Sequence, residues 1–202
     1  MPVKEDRQYR NAQMQVRMDE EKKSYIVEGY ATTWERYKLY DRGEESVYEQ
    51  FSKEDFAGTD MGDVIMQYDH NGPVYARMSN DSLHLSFDEY GLKVVADLGR
   101  TEKGKSLYED IATGMVTKMS WGFIPNELPE YDPETRTITW HKGIRKIYDV
   151  SAVSIPANDT TEISARNACE GVIESKIAEC IRLKELETKR QELLAKLERE
   201  GF

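Results

Sequence analysis

Three histidines offer the side chain that most often exchanges protons near neutral pH. His84 alternates with leucines in a predicted strand, so it is expected on the polar, solvated face. His141 comes at the end of another predicted strand, where a surface position is also expected. His70 differs, because the apolar run at residues 64–68 breaks at this point into a turn. Turns held by rigid strands often present reactive side chains, so His70 is the candidate proton acceptor.

A small hydroxyl stands out in a second apolar segment. Met119, Trp121 and Phe123 alternate onto one face of a predicted strand, which leaves Ser120 and Gly122 on the other face. A serine beside a position without a side chain forms an open slot that a substrate backbone could enter. The alternative is a serine that only faces a crowded interior, and this segment alone leaves that alternative open.

A carboxylate lies in a segment that is apolar on both faces. Asp149 occurs within residues 147–155, which otherwise predict a buried strand. Burying a carboxylate there is costly unless a cation or a hydrogen-bond donor meets it. A histidine is a natural partner, since a carboxylate that orients a histidine is half of a serine-protease charge network. A structural salt bridge to arginine or lysine is the competing interpretation of Asp149.

In chain order, His70, Ser120 and Asp149 supply a base, a nucleophile and an orienting carboxylate. These are the parts of acyl-transfer chemistry through an activated serine. A metal-dependent hydrolase that uses Asp69 and His70 is a rival chemistry, but the sequence has no further ligands at metal-binding spacing. We therefore expect neither a metal nor a cofactor.

The composition narrows the possible partners and compartments. With 202 residues, of which 39% are hydrophobic, the chain can bury one substantial core. Its formal net charge of -10 and the lack of a basic stripe argue against nucleic acid as a ligand. No segment approaches the roughly 20 apolar residues that cross a bilayer, so no membrane partner is expected. Cys169 and Cys180 lie about 16 Å apart along one predicted helix, which favours reduced thiols in a cytoplasmic protein.

The elements that position these side chains are mostly short strands. Apolar alternation and turn residues predict about seven strands and only two short helices, near residues 52–58 and 101–113. Residues 168–200 form a long charged helix with an uneven apolar stripe. We therefore expect a mainly β fold with helices, of the α+β class, with a barrel-like β core and a long C-terminal helix.

The chain divides into three predicted parts. Residues 1–12 are a polar segment predicted to be a disordered leader, residues 13–166 the main domain, and residues 167–202 a helical tail. The break in apolar spacing at Lys184 and Arg190 argues against a long two-stranded coiled coil. The tail is expected to dock on a partner or on the β core, because isolated helices are marginally stable.

Four short sequence blocks follow one another between about residues 24 and 166. They are IVEGYA at residues 26–31, MQYDHN at 66–71, GMVTKMSWGF at 114–123 and YDVSAVSIPAN at 148–158. Together these blocks resemble the motifs of the HK97-type phage prohead proteases, serine proteases of capsid maturation that are related in fold to the herpesvirus assemblins.

The resemblance implies a role for each candidate residue. His70 matches the general base and Ser120 the nucleophile. Family members often have glutamate where this chain has Asp149, and the herpesvirus relatives use a second histidine, which keeps His141 as an alternative third member. The oxyanion donors are expected in the backbone of the loop after Asn158.

The resemblance also implies partners and a location. The expected substrates are the major capsid protein, through its scaffolding region, and the protease itself, which is expected to cut itself and to form homo-oligomers. The expected location is the bacterial host cytoplasm, inside the immature capsid. The alternative function is a catalytically inactive, scaffold-like assembly factor. From the helix pattern alone, and not from the resemblance, residues 168–202 are expected to mediate self-association or docking into the shell and to contain a site of self-cleavage.

Overall fold

The computed structural model describes residues 8–16, 25–154 and 159–200. Within these ranges the chain forms twelve strands in two sheets, two α-helices and two short 3-10 helices. The strands are β1 (Gln8–Val16), β2 (Ile26–Thr33), β3 (Tyr37–Arg42), β4 (Glu45–Gln50), β5 (Ile65–Tyr68), β6 (Asn71–Arg77), β7 (Leu83–Phe87), β8 (Gly91–Asp97), β9 (Lys118–Pro125), β10 (Glu130–Asp132), β11 (Thr137–Thr139) and β12 (Ile144–Val153). The helices are α1 (Glu102–Ala112), α2 (Asp159–Glu200) and the 3-10 helices Lys53–Phe56 and Met78–Asn80.

The larger sheet contains eight strands in the order β6-β5-β12-β9-β1-β2-β8-β7. Its neighbouring strands are antiparallel, except that β5 runs parallel to β12. The three candidate site residues come from β9, from β12 and from the turn that follows β5. Since β5, β12 and β9 are consecutive in the sheet, the fold brings these distant segments of the chain side by side.

A second sheet of four strands has the order β10-β11-β4-β3. Polar and charged residues dominate the segment that forms the hairpin of β3 and β4, so these strands are not evident from the sequence. Val47 and Glu49 on β4 are buried, although charged residues surround them in the sequence. Tertiary pairing therefore overrides the weak strand propensity of this segment, as β4 also pairs in parallel with β11.

Aromatic side chains fill the core beneath β9. Trp121 and Phe123 stack with ring centroids 4.4 Å apart. Phe51 meets Trp121 edge to face at 5.4 Å and stacks on Trp140 at 6.4 Å. These four rings are almost fully buried, so they hold β9 rigidly from one side by dispersion and apolar burial.

A buried ion pair links the two sheets. Arg10 on β1 and Glu49 on β4 are both buried, with Arg10 Nε 2.5 Å from Glu49 Oε2. Trp140 Nε1 donates to Glu49 Oε1 at 2.7 Å, and the Tyr37 hydroxyl also donates to Glu49. Burial and the Glu49 carboxylate raise the pKa of Tyr37 well above its usual value. The carboxylate is thus fully partnered, and breaking the cluster would leave a charge buried without compensation.

The helices predicted near residues 52–58 and 101–113 are both present, and each is capped at its N-terminus. Thr101 caps α1 by accepting a hydrogen bond from the Gly104 backbone N–H at 3.0 Å. At the first 3-10 helix the Ser52 backbone N–H donates to Asp55 at 2.7 Å. Each cap satisfies backbone donors that the helix itself leaves without partners.

The long helix α2 begins at Asp159, earlier than the start near residue 168 that the composition predicts. Both cysteines on it are free thiols, and Cys169 is buried. Burial raises the pKa of Cys169 to about 12. No helix in the described part of the chain combines the length and the apolar character that a bilayer crossing requires.

The predicted α+β class, mainly β with a long C-terminal helix, is confirmed. The predicted barrel-like closure is wrong, because the end strands β6 and β7 of the eight-stranded sheet are not hydrogen-bonded to each other. The predicted leader is also too long, since residues 8–12 already belong to β1. These residues are polar, but they are held by pairing with β9, where Asn11 lies opposite Ser120. Residues 1–7 lie outside the described residues.

Candidate active site

His70 lies in a two-residue turn between β5 and β6. Tyr68 pairs with Asn71, and the two residues between them have positive φ angles, 48° at Asp69 and 54° at His70. Type I′ turns require positive φ at both central positions, and aspartate and histidine adopt such angles more readily than most residues. The tight turn therefore presents the imidazole at the end of β5, a strand that is mostly half-buried.

Asp69 fastens this turn to the end of β12. Its carboxylate accepts hydrogen bonds from the backbone N–H of Ser154 at 2.9 Å and from the Ser154 hydroxyl at 2.8 Å. Its own backbone N–H donates to Ala152 O at 2.9 Å. Three hydrogen bonds thus fix the residue before His70 to the strand that carries Asp149.

The register of β9 and β12 sets the other two side chains. Ser120 lies opposite Ser151, and Gly122 lies opposite Asp149. Residues opposite each other in a ladder share one face of the sheet, so all four lie on the same face. The bulky side chains of β9, such as Trp121, occupy the other face. Gly122, opposite the Asp149 carboxylate, is itself buried, so the open slot expected beside Ser120 is closed in this structure.

The three candidate residues form a continuous hydrogen-bonded chain. His70 Nδ1 lies 2.5 Å from Asp149 Oδ2, and His70 Nε2 lies 2.6 Å from Ser120 Oγ. An ionised carboxylate can only accept hydrogen bonds, so Nδ1 carries the proton toward Asp149 and Nε2 accepts from the serine hydroxyl. This is the tautomer in which a histidine can take the proton of a serine.

Burial differs along this chain. Ser120 is 0% exposed and Asp149 is 3% exposed, whereas the His70 side chain is 17% exposed. The imidazole is thus the solvent-facing part of the cluster. In a dry environment the interaction between the carboxylate and the histidine is strengthened, because solvent screening is weak.

Ser151 joins the cluster and was not predicted from the sequence. It is 0% exposed, and its hydroxyl donates to Asp149 Oδ2 at 2.9 Å. Ser151 follows Asp149 by two residues in a predicted strand, and residues two apart in a strand lie on the same face. This spacing is the sequence signal that places the two side chains together. The sequence alone places Ser151 only within the predicted buried strand of residues 147–155.

The remaining histidines lie elsewhere. His141 has a 59% exposed side chain, and its Nδ1 is 3.5 Å from Asp55 Oδ1 near the first 3-10 helix. His84 is exposed on β7, on the polar face as predicted. The structure therefore brings His70, Ser120 and Asp149 together and does not bring His141 to them.

Two other predictions concern the surroundings of the site. The polar atoms of Asp69 and His70 do not converge, because Asp69 binds Ser154 while the imidazole contacts Ser120 and Asp149. The loop after Asn158, predicted to hold the oxyanion donors, is helix from Asp159 onward, and residues 155–158 lie outside the described residues.

Comparison with known proteins identifies the family to which this chain belongs. A family model described as caudovirus prohead serine protease matches residues 12–174, a range that contains the whole hydrogen-bonded cluster. Neither the curated proteins nor the solved structures that were compared with the chain gave a match. Because the matched range covers most of its length, this chain belongs to the caudovirus prohead serine protease family.

Proposed function

We propose that this chain is a serine endopeptidase of prohead maturation that cuts peptide bonds by acyl transfer through Ser120. The observation that carries the proposal is the position of His70, whose two ring nitrogens contact Ser120 Oγ and Asp149 Oδ2 at 2.6 and 2.5 Å. A solvated surface histidine would need neither contact. The family match supports the same reaction class.

In the first half-reaction, Ser120 Oγ bonds to the carbonyl carbon of a peptide. The hydroxyl proton passes to His70 Nε2, and the Asp149 carboxylate stabilises the imidazolium that forms. Collapse of the tetrahedral adduct breaks the C–N bond, and His70 returns the proton to the leaving amine. The products are an acyl ester on Ser120 and the free amino-terminal end of the downstream fragment.

The second half-reaction uses water in place of the serine. His70 Nε2 takes a proton from the water, whose oxygen attacks the ester carbon. Breaking the C–O bond returns Oγ to Ser120 with the proton from His70, and it releases a carboxylate product. The same two contacts of His70 thus serve both steps, which explains why a tight turn fixes this residue.

Access to the nucleophile requires a local movement. Ser120 is fully buried in the structure, and a peptide carbonyl must come within bonding distance of its Oγ. The surroundings of Ser120 therefore have to open before attack, so binding of an extended peptide and opening of the site are coupled.

The proposed substrates are the scaffolding region of the major capsid protein and the protease itself, inside the immature capsid in the bacterial cytoplasm. The family description supports an action in the prohead. Residues 181–194 of α2 are all exposed and offer a segment for self-cleavage. A helix must unwind before it fits an active site, so the cut is expected to be slow.

A fluorophosphonate probe tests the proposal and separates it from an inactive, scaffold-like assembly factor. The probe should modify one serine, which peptide mass spectrometry should identify as Ser120, and Ser120→Ala should abolish the labelling. Ser175→Ala, which removes an exposed hydroxyl on α2, is the matched control and should label normally. Absence of labelling in folded wild-type protein would favour the assembly factor.

A further inference from the structure

The helix α2 is much longer than the surface on which it packs. At roughly 1.5 Å per residue its 42 residues extend about 63 Å. Cys169 and Ile173 are buried against the core, and Val172 and Ile177 pack on it partly. Every residue from 181 to 194 is exposed. The second half of α2 therefore extends beyond the β core.

Leucines on the exposed half follow the spacing of a coiled-coil seam. Leu183, Leu186 and Leu193 are all more than half exposed. With Arg190 and Leu197 they occupy positions separated by three, four, three and four residues, which are alternating a and d positions of a heptad. We call the helix face formed by these five positions the seam.

The seam faces away from the side of α2 that packs on the core. Successive residues turn about 100° around a helix axis, so the seam lies roughly 140° from the face that carries Ile173 and Ile177. The chain's own core therefore does not cover Leu183, Leu186 and Leu193. Ile181 lies on the side of the helix opposite the seam and is 53% exposed.

We propose that the seam pairs with the same segment of a second copy of this chain as a short, parallel, two-stranded coiled coil. The charges beside the seam select this arrangement. The g positions are all basic, namely Arg182, Lys189 and Lys196, whereas the e positions are acidic at Glu187 and apolar at Leu194. A parallel pair places Arg182 against Glu187 of the second copy, while an antiparallel pair would bring the basic rows together.

The charge of the segment also permits self-association. Residues 181–200 contain six basic and five acidic side chains, although the whole chain has a net charge of -10. The segment is therefore nearly neutral, and two copies do not repel each other there as two acidic surfaces would. Arg190 within the seam lies 3.5 Å from Glu187 of its own helix, and a charged residue at one a position specifies register and oligomer state at a cost in stability.

The pairing should be weak and dependent on concentration. Two heptads are near the lower limit for a stable helical pair, and the charged seam position weakens it further. Confinement inside a shell raises the local concentration and favours the dimer. The proposal does not rest on the peptidase activity, because the seam lies outside the catalytic cluster.

Sedimentation equilibrium of the full chain tests the proposal, with Ser120→Ala as the background so that no self-cleavage intervenes. We expect a monomer–dimer equilibrium that Leu186→Lys with Leu193→Lys shifts to monomer by at least about 100-fold, since buried leucines in a dimer contribute most of its stability. Ile181→Lys is the matched control and should leave the equilibrium unchanged. A dimer that persists in the double variant, equal loss in the control, or a monomer at all concentrations would overturn the proposal.

Cysteine cross-linking tests the orientation. In a Cys180→Ser background, Leu193→Cys places a thiol at a d position that meets its counterpart only in a parallel, in-register pair. Mild oxidation should give a covalent dimer, whereas Gln191→Cys, on the outer side of the helix, should not. Cys169 is buried and does not compete. A non-covalent dimer in which position 193 fails to cross-link would overturn the parallel arrangement, and binding of the seam only to a capsid scaffolding peptide would overturn the choice of partner.

Discussion

Ser151 Oγ lies 2.9 Å from Oδ2 of Asp149, the carboxylate oxygen that also contacts His70. Both residues are buried on the same face of β12. A hydroxyl that donates to a buried carboxylate fixes the direction in which the carboxylate points, and hence the orientation of the imidazole. The cluster thus has four members, of which Ser151 acts through Asp149 as a positioning residue.

Ser151→Ala should lower kcat by about tenfold and leave KM nearly unchanged, since a hydrogen bond to a charged group contributes roughly 1.5–3 kcal/mol and part of the orientation persists. Steady-state kinetics on a capsid-derived peptide would measure both constants. Ser46→Ala is the control, because it removes a serine–aspartate hydrogen bond to Asp41 on the surface. An effect on thermal stability alone, with kcat intact, would contradict the positioning role.

Ser120→Ala should fold normally and accumulate at full length, with peptide cleavage reduced by at least about 10⁴-fold. His70→Ala should lose about as much, and the double variant should lose no more than either single one, because members of a catalytic unit act together. Electrophoresis after expression with capsid protein would follow both cleavage and self-trimming. Additive losses in the double variant, or self-trimming by Ser120→Ala, would refute the assignment.

Asp149→Asn should reduce kcat by about 10⁴-fold, because an amide can favour the wrong tautomer of His70. His141→Ala should stay close to the wild-type rate, since the His141 side chain is exposed beside Asp55. The same kinetic assay distinguishes the two possible third members. An inactive His141→Ala together with an active Asp149→Asn would favour the arrangement with two histidines.

The site was more predictable from the sequence than the sheets around it. His70 interrupts an apolar strand and Ser120 alternates with bulky residues, so both signals are local in the chain. The hairpin of β3 and β4 was missed because its stability comes from long-range contacts. Glu49 looks like a surface residue until Arg10, 39 positions away, meets it in the interior. The sequence predicts a closed, barrel-like sheet, whereas the eight-stranded sheet is open. The number of strands alone does not reveal whether the two end strands of a sheet pair with each other.

Asp69→Asn should lower kcat while largely preserving the fold. Asparagine tolerates the positive φ of 48° at this position, but its amide offers one accepting oxygen where the carboxylate accepts from both donors of Ser154. The turn should loosen, and we expect a loss of about tenfold in kcat. Kinetics together with a thermal melt would separate positioning from folding. Ser46→Ala again provides a control for a lost surface hydrogen bond, and an unchanged kcat in Asp69→Asn would show that the turn needs no such anchor.

Alkaline pH should destabilise the fold in a way that depends on Cys169. Burial raises the pKa of this thiol from 9.0 to about 12 in the folded chain. Above about pH 9 the unfolded chain loses the thiol proton while the folded chain keeps it, so the free energy of unfolding falls as the pH rises toward 12. Urea unfolding at several pH values should show a smaller fall for Cys169→Ala than for the wild type, although the variant starts less stable because it leaves a cavity. Cys180→Ala is the matched control, since this thiol lies farther along α2 and is only partly buried. An identical pH dependence in Cys169→Ala and the wild type would contradict the role of the buried thiol.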